Sequence, residues 1–219
     1  KNSIATHEAG HASVSWLLQY ANPLVKVTIV PRGKALGAAW YLPEERQLTT
    51  KEQLLDEMCS LLGGRAAEEI CFSTISTGAL NDLERATKMA YAMVVYYGMS
   101  DKLSNISYFD SSRGDYSFTK PYSEKTAELI DKEVKAIVDE QYNRAKDLIN
   151  SHREQHKELA DLLVEKEVIF AEDVEKIFGK RPWTSRQEEL SKESKKDSED
   201  NTEETTEIEH TKTQDTNNE

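Results

Sequence analysis

The chain has 219 residues, of which 37% are hydrophobic and 31% charged, a composition that suits one medium-sized domain followed by a polar tail. Its formal net charge is −12, and the segment 188–219 alone holds 12 acidic and 4 basic residues. Residues 1–187 are therefore only mildly acidic, which argues against a nucleic-acid-binding surface.

The cysteines and the apolar runs of this sequence indicate neither a disulfide-rich domain nor a membrane-spanning segment. Cys59 and Cys71 form neither a C-x-x-C pair nor a disulfide framework, so we expect two reduced, largely buried thiols. The longest apolar runs fall far short of the ~20 residues that cross a bilayer, and no signal peptide is visible. Because the sequence begins at Lys1, we expect a fragment or a processed product of a longer protein.

The beginning of the chain predicts a helix followed by two short strands. Apolar residues that can share one face predict a helix over 4–20. Alternation of β-branched residues predicts a strand over 25–30, and the segment 36–42 is a plausible partner strand. Gly37 weakens the prediction of the second strand.

The middle of the chain predicts a series of helices. Thr50 and Gln53 resemble a capping box, at the start of a helix that runs to about Ile70. Further helices are predicted over 80–97, 123–149, 153–165 and 171–178, with an irregular loop over 99–121. The predicted fold class is mainly α with a small N-terminal β-sheet. Apolar residues almost vanish after Trp183, so we predict a folded domain over 1–180 and an acidic, disordered tail over 181–219.

The sequence His7-Glu8-Ala9-Gly10-His11 lies inside the first predicted helix and carries the clearest chemical signal. Helix residues four apart stand ~40° apart around the axis and ~6 Å along it, so both imidazoles can reach one metal ion. Glu8 lies about 100° round from His7, where its carboxylate can act on a water without being a ligand. The pattern predicts a catalytic zinc site with Glu8 as general base. Gly10 costs the helix up to ~1 kcal/mol relative to Ala, so we expect close packing there.

A catalytic zinc site needs a third protein ligand, and the residues leave its identity open. Asp82 stands at the start of a predicted helix, where the helix N-terminus favours a carboxylate. Glu68 and Glu69 are comparable candidates, and their alternative role is to support the site from outside. The two cysteines are possible ligands but would make a softer site.

A second histidine pair, His152 and His156, has the same spacing in a predicted helix. The residues between them are Arg153, Glu154 and Gln155, and a cation beside a metal site is unfavourable. No apolar setting surrounds the pair. We therefore predict a solvated surface with no metal role.

Several segments together resemble the FtsH proteases, which include the bacterial FtsH enzymes and the mitochondrial AAA proteases. Besides the motif at 7–11, these segments are Lys26–Gly33, Leu62–Glu69, Thr77–Leu83 and Tyr97–Ser100. They occur in the order of the family and cover about residues 1–180. The resemblance implies a helical zinc-metallopeptidase domain that binds one Zn²⁺ per chain, with Asp82 at the position of the third ligand beside His7 and His11.

The resemblance also implies the setting of the full-length protein. FtsH proteases carry membrane segments and an AAA ATPase module ahead of the peptidase domain, and they degrade unfolded or misassembled polypeptides as six-fold rings. This chain has no G-x-x-x-x-G-K-[ST] loop, so ATP would be used only through a missing ATPase domain. We expect a membrane-anchored homo-hexamer with this domain on the cytoplasmic (or equivalent) side, and a soluble fragment.

Two other functions stay open on the sequence. A catalytically silent assembly or scaffold module of the same fold would keep the ring without the chemistry, but the intact His7, Glu8, His11 and Asp82 argue against it. A non-proteolytic metallohydrolase could carry the same helix motif. Predicted edge strands over 25–42 favour a peptide substrate, because an extended chain can add to a sheet edge. The leading prediction is therefore a zinc-dependent endopeptidase.

Overall fold

The computed structural model of the chain describes residues 1–31, 37–42, 48–109 and 120–183. Within the domain, residues Lys1–Arg181 make one unit by their contacts. The predicted tail over 181–219 lies almost entirely outside the described residues, as does part of the predicted loop over 99–121. The domain boundary at residue 180 therefore stays a prediction.

Helices dominate the described chain. The α-helices are α1 (Asn2–Trp16), α2 (Lys51–Phe72), α3 (Leu80–Val95), α4 (Glu124–Ser151), α5 (Arg153–Lys166) and α6 (Ala171–Phe178). The strands are β1 (Leu24–Thr28), β2 (Ala38–Tyr41) and β3 (Val168–Phe170), and a 3-10 turn at Thr77–Ala79 precedes α3. The mainly helical fold class with a small sheet is confirmed. In the described ranges, none of the helices combines the length and the apolar character that crossing a membrane requires.

Local capping signals set the helix boundaries close to prediction. The Thr50 hydroxyl accepts a hydrogen bond from the backbone N of Gln53 at 3.3 Å, and Gln53 Oε1 accepts one from the backbone N of Thr50 at 2.8 Å. This is the capping box predicted for α2. Ser123 caps α4 with its side chain. At the end of α2 the chain turns through Ser73 in the left-handed region, with φ 54°, and enters the segment that leads to Asp82.

The sheet combines two strands from the beginning of the domain with one strand from its end. Its strand order is β2-β1-β3, and both pairs are antiparallel. The sequence does not predict β3, because three residues between two helices are too few to show an alternation. Ile169 of β3 is nevertheless fully buried opposite Val27. Strand β1 is consequently central rather than an edge, and β2 is an edge strand in the described part of the chain.

Helix α1 is buried on all sides. Every residue from Ala5 to Trp16 is buried, so the predicted single apolar face is wrong, and the helix ends before the predicted boundary at residue 20. It packs against α2, α5 and β1. A Cβ placed on Gly10 would lie 2.4 Å from the carbonyl oxygen of Gly63, so α1 and α2 are in backbone contact. The close packing expected at Gly10 is confirmed.

The predicted solvated surface at His152 and His156 is wrong for His156. Its side chain is 1% exposed, and its Nδ1 lies 3.3 Å from Ser13 Oγ of α1. Burial lowers the pKa of His156 to about 4, although the nearby backbone of Ala9 opposes the shift. His152 lies between α4 and α5, where its Nδ1 donates to the carbonyl oxygen of Leu148 at 3.0 Å. Within the described ranges, neither histidine belongs to a metal-capable group.

The two cysteines differ in exposure. Cys59 is buried, as expected, and burial raises the pKa of its thiol to about 12. Cys71 is exposed, so the expectation of a second buried thiol is wrong. It lies in the last turn of α2.

Candidate metal centre

Two histidines of α1 face each other across a short gap. The Nε2 atoms of His7 and His11 lie 3.1 Å apart, and the two rings meet edge to face. About one helical turn separates the two residues, so α1 alone positions this half of the site. Both side chains are buried, which restricts their orientation.

Asp82, in the first turn of α3, completes the group. Its Oδ2 lies 3.5 Å from Nε2 of His7 and 3.5 Å from Nε2 of His11. One ligand atom from each of the three residues lies within 4.8 Å of the others, so one metal ion can be shared. Among the described residues, Glu68 and Glu69 do not belong to this group, and neither do the cysteines. The structure therefore brings Asp82, and neither glutamate, to the Nε2 atoms of the two histidines.

The outer nitrogen of each imidazole is held by an acceptor. His11 Nδ1 donates to the carbonyl oxygen of Ser60 at 2.9 Å, and His7 Nδ1 donates to Glu68 Oε1 at 3.2 Å. Since a carbonyl or an ionised carboxylate can only accept, both Nδ1 atoms carry protons, and in the neutral imidazole this leaves the lone pair on Nε2. This is the tautomer that metal binding through Nε2 requires.

The donor set and its spacing fit zinc. Imidazole nitrogen and carboxylate oxygen are ordinary zinc ligands, and three protein ligands leave a fourth position open. At Zn–N distances of ~2.0–2.1 Å, two tetrahedral ligand atoms lie roughly 3.3 Å apart. The separations here are 3.1 Å and 3.5 Å. Gly64 keeps the space clear, because a Cβ there would lie 2.6 Å from Nε2 of His7 and 2.7 Å from Nε2 of His11.

Glu68 contacts His7 from the side away from Asp82. Its Oε1 also accepts from Ser76 Oγ at 2.8 Å, and its Oε2 accepts from the backbone N of Ser76 at 3.0 Å. The buried carboxylate thus joins α2, the His7 ring and the loop that leads to Asp82. Glu69 points elsewhere and accepts a hydrogen bond from the Tyr142 hydroxyl of α4. Of the two glutamates, only Glu68 lies where it can support a ligand.

Charged groups in the site shift one another's pKa values. Burial raises the pKa of Glu8, and His11 and His7 oppose that shift. Burial by itself lowers the pKa of His11, but the interactions with Asp82 and Glu8 outweigh it and raise the value to about 9. Burial by itself raises the pKa of Asp82, but hydrogen bonds with His11 and His7 hold it well below its usual range. Asp82 is therefore ionised at neutral pH, and it favours a cation at this point.

Glu8 lies beside the histidines and against the beginning of β2. A Cβ placed on Gly37, the residue before β2, would lie 2.6 Å from Glu8 Oε1. The edge strand therefore starts in contact with this carboxylate. In the sequence Gly37 indicates only a weak strand, and Gly64 is simply one of two adjacent helical glycines. No local pattern reveals these contacts, because the partners are far apart along the chain.

Comparison with known proteins identifies a family. The model of "Peptidase family M41" matches residues 1–177. The chain is 67% identical over 190 residues to "ATP-dependent zinc metalloprotease FtsH" of Parabacteroides distasonis, covering 87% of this chain and 28% of that protein. It is 55% identical over 179 residues to the protein of the same name from Karelsulcia muelleri, covering 81% and 29%. It is 48% identical over 186 residues to "Mitochondrial inner membrane m-AAA protease component AFG3L1" of Mus musculus, covering 85% and 24%.

The similarity covers most of this chain but a smaller part of each relative. The chain spans between 24% and 29% of the length of these three proteins. The matched region includes the complete metal-capable group on α1 and α3. The chain belongs to peptidase family M41, as a metallopeptidase domain of the FtsH type.

Proposed function

We propose that this chain is a zinc-dependent endopeptidase in which His7, His11 and Asp82 hold the metal and Glu8 is the general base. The observation that carries the proposal is the convergence of three ligand atoms within 4.8 Å, beside a buried glutamate. Membership of a metallopeptidase family supports it.

In the proposed site, the metal ligands and the residues that orient them have separate roles. Zinc held here supplies a Lewis acid that activates a water molecule and polarises a peptide carbonyl. Glu68 and the Ser60 carbonyl hold the two imidazoles in the tautomer and orientation that expose Nε2. Gly64 leaves room in front of both rings.

Glu8 moves the proton. Its raised pKa, caused chiefly by burial, makes the carboxylate a stronger base than an exposed glutamate. In the proposed step, Glu8 Oε takes a proton from the attacking water as the water oxygen bonds to the peptide carbonyl carbon. The proton then passes to the amide nitrogen as the C–N bond breaks, which returns Glu8 to its ionised form.

The edge of β2 offers a place for an extended polypeptide. In the described part of the chain, no strand pairs with β2 on the side away from β1. A peptide added there forms main-chain hydrogen bonds whatever its sequence, which suits unfolded substrates of varied composition. Because Gly37 at the start of β2 contacts Glu8, a peptide on this edge passes the general base.

The proposal extends to the longer protein. Relatives are named ATP-dependent proteases, and one is named a component of a mitochondrial inner membrane protease. We infer a membrane-anchored homo-hexamer whose AAA ATPase domain feeds unfolded or misassembled polypeptides to this domain on the cytoplasmic or equivalent side. Light scattering on residues 1–180 tests the hexamer, and a strict monomer at high concentration would contradict it.

The decisive experiment measures zinc content and casein cleavage together. Glu8→Gln should keep zinc and lose about 10²- to 10⁴-fold in activity, the usual contribution of a positioned general base. Zinc content and activity should both be lost in His7→Ala, His11→Ala and Asp82→Ala. Zinc should be retained in Glu69→Ala, because Glu69 lies outside the metal-capable group. Wild-type cleavage by Glu8→Gln, or stoichiometric zinc in Asp82→Ala, would contradict the assignment.

A further inference from the structure

We propose that Trp40 selects one substrate side chain, about three residues from the cleaved bond, and favours large apolar or aromatic residues there. This inference rests on the proposed function, since it requires a polypeptide on the free edge of β2. Main-chain hydrogen bonds to β2 do not by themselves distinguish one peptide sequence from another. A contact with Trp40 would add a preference for one side chain of the peptide.

Trp40 stands on the solvent face of the sheet. Its neighbours Ala39 and Tyr41 pack against the core that contains α1, so the alternation along β2 directs Trp40 to the opposite face. The Trp40 side chain is 45% exposed although it is large and apolar. A strand that added to β2 would cover part of this exposed surface.

Trp40 is the first member of a row that crosses the sheet. It pairs with Lys26 of β1, and Lys26 pairs with Phe170 of β3. Lys26 Nζ lies 5.3 Å from the centroid of the Trp40 ring, within cation–π range, and this contact restrains the indole. Because Trp40 stands at the β2 end of the row, its next neighbour would be a side chain of the added strand.

The distance from Glu8 places this contact on the substrate. Because Gly37 contacts Glu8, the proposed general base, we infer that the cleaved bond lies at the level of Gly37 along β2. A strand rises ~3.3 Å per residue, so Trp40 lies roughly 10 Å further along the edge. A peptide paired with β2 therefore presents to Trp40 a residue about three positions from the cleaved bond. The direction of the peptide decides whether that residue is on the amino or the carboxyl side.

The chemistry of the row sets the preference. Side chains directly opposed on neighbouring strands have Cβ atoms ~4.5–5.5 Å apart, and aromatic residues pair favourably with aromatic and β-branched ones. Lys26 adds a positive charge to the same row, which disfavours a basic substrate residue. We therefore expect Phe, Tyr, Ile or Val to be preferred over Gly or Lys, by about two- to fivefold in kcat/KM.

The test uses unstructured peptides that differ only at the third residue on either side of one cleaved bond, with the zinc-loaded chain. The wild type should prefer Phe to Gly on one of the two sides, and Trp40→Ala should abolish that preference. Trp40→Lys should replace it with a preference for Glu. Phe170→Ala is the matched control, because Phe170 is 50% exposed on the same face but belongs to the opposite edge strand. Its peptide preference should equal that of the wild type.

Binding provides a second measurement that does not depend on turnover. The Glu8→Gln variant should bind peptides without cutting them. Its Kd values, measured by fluorescence polarisation, should show the same preference for Phe over Gly. Adding Trp40→Ala to this variant should remove the preference. A merely structural role of Trp40 would alter all peptides alike. An unchanged preference in both Trp40→Ala and Trp40→Lys would overturn this inference alone. Failure of the wild type to cleave any peptide in a Glu8-dependent way would instead overturn the proposed function.

Discussion

Gly10 of α1 and Gly63 of α2 touch where the two helices cross. A Cβ on Gly10 would lie 2.4 Å from the Gly63 carbonyl oxygen, and a Cβ on Gly63 would lie 2.7 Å from the Gly10 carbonyl oxygen. The contact lies beside the metal-capable histidines, whose outer nitrogens bind to Glu68 and Ser60 of α2. A wider crossing would draw α1 away from the acceptors that orient the two imidazoles.

Replacing Gly10 with Ala should therefore destabilise the fold. Ala gains up to ~1 kcal/mol in helix propensity, but forcing a methyl group into a packed contact typically costs about 1–3 kcal/mol. We expect a lower Tm and weaker zinc binding, measured by thermal unfolding with and without a chelator. Gly63→Ala should have a similar effect. The decrease in Tm of the double variant should be smaller than the sum of the two single decreases, because both methyl groups force apart the same contact. A Tm at or above the wild-type value for Gly10→Ala would show that the contact is not tight.

The two adjacent glutamates of α2 should differ in their effect on metal binding. Glu68→Gln replaces the charged acceptor of His7 Nδ1 with a neutral amide oxygen, and a change of such an outer hydrogen-bond partner typically weakens metal affinity ~10–100-fold. Glu69→Gln is the matched control, because Glu69 binds Tyr142 and touches no candidate ligand. Zinc titration against a competing chelator measures both. Equal affinities for the two variants would remove Glu68 from its positioning role.

Gly37→Ala should lower activity without loss of metal. The added methyl carbon would lie 2.6 Å from Glu8 Oε1, and the carboxylate, as the free end of a side chain, is the group that would move. We expect kcat to fall toward the level of Glu8→Gln while zinc content and Tm stay close to wild type. In a Glu8→Gln background the same change should have no further effect on kcat. A loss of zinc in Gly37→Ala would point to a distorted ligand set instead.

Acid should weaken the fold through His156. Burial lowers the pKa of His156 from its ordinary value of 6.5 to about 4, so between these values the unfolded chain binds the proton more readily than the folded protein. The free energy of unfolding should therefore fall as the pH falls through this range, by up to about 3 kcal/mol. Urea unfolding with chelator present, so that metal release does not contribute, should show a smaller decrease for His156→Gln. A slope equal to that of the wild type would mean that His156 is protonated in the folded state.

Local features of the fold were predictable, whereas contacts made between distant elements were not. The spacing of His7 and His11 and the capping box at Thr50 depend on neighbouring residues alone, and the structure has both. The choice between Asp82 and Glu68 depends on how α2 and α3 pack, so the residues alone left it open and only the family resemblance favoured Asp82.

The same reasoning explains the wrong predictions. His156 occurs in a polar stretch of sequence, and it is buried only because α5 packs across α1 at Ser13. Strand β3 exists because β1 is there to pair with it. A helix buried on every side, as α1 is, shows no preferred apolar face in its sequence.

The burial of α1 also determines whether a substitution would lower the amount of folded protein or remove activity alone. The α1 residues that we propose to carry the chemistry share the turns of one helix with residues that hold the core together, so we expect many substitutions in α1 to lower the folded fraction. In a cell, such variants will be removed by quality control and detected as low abundance. Asp82 lies at the partly exposed start of α3, outside that helix. Its replacement should leave an abundant, folded and inactive protein, which can still occupy a place in any assembly that the wild type forms.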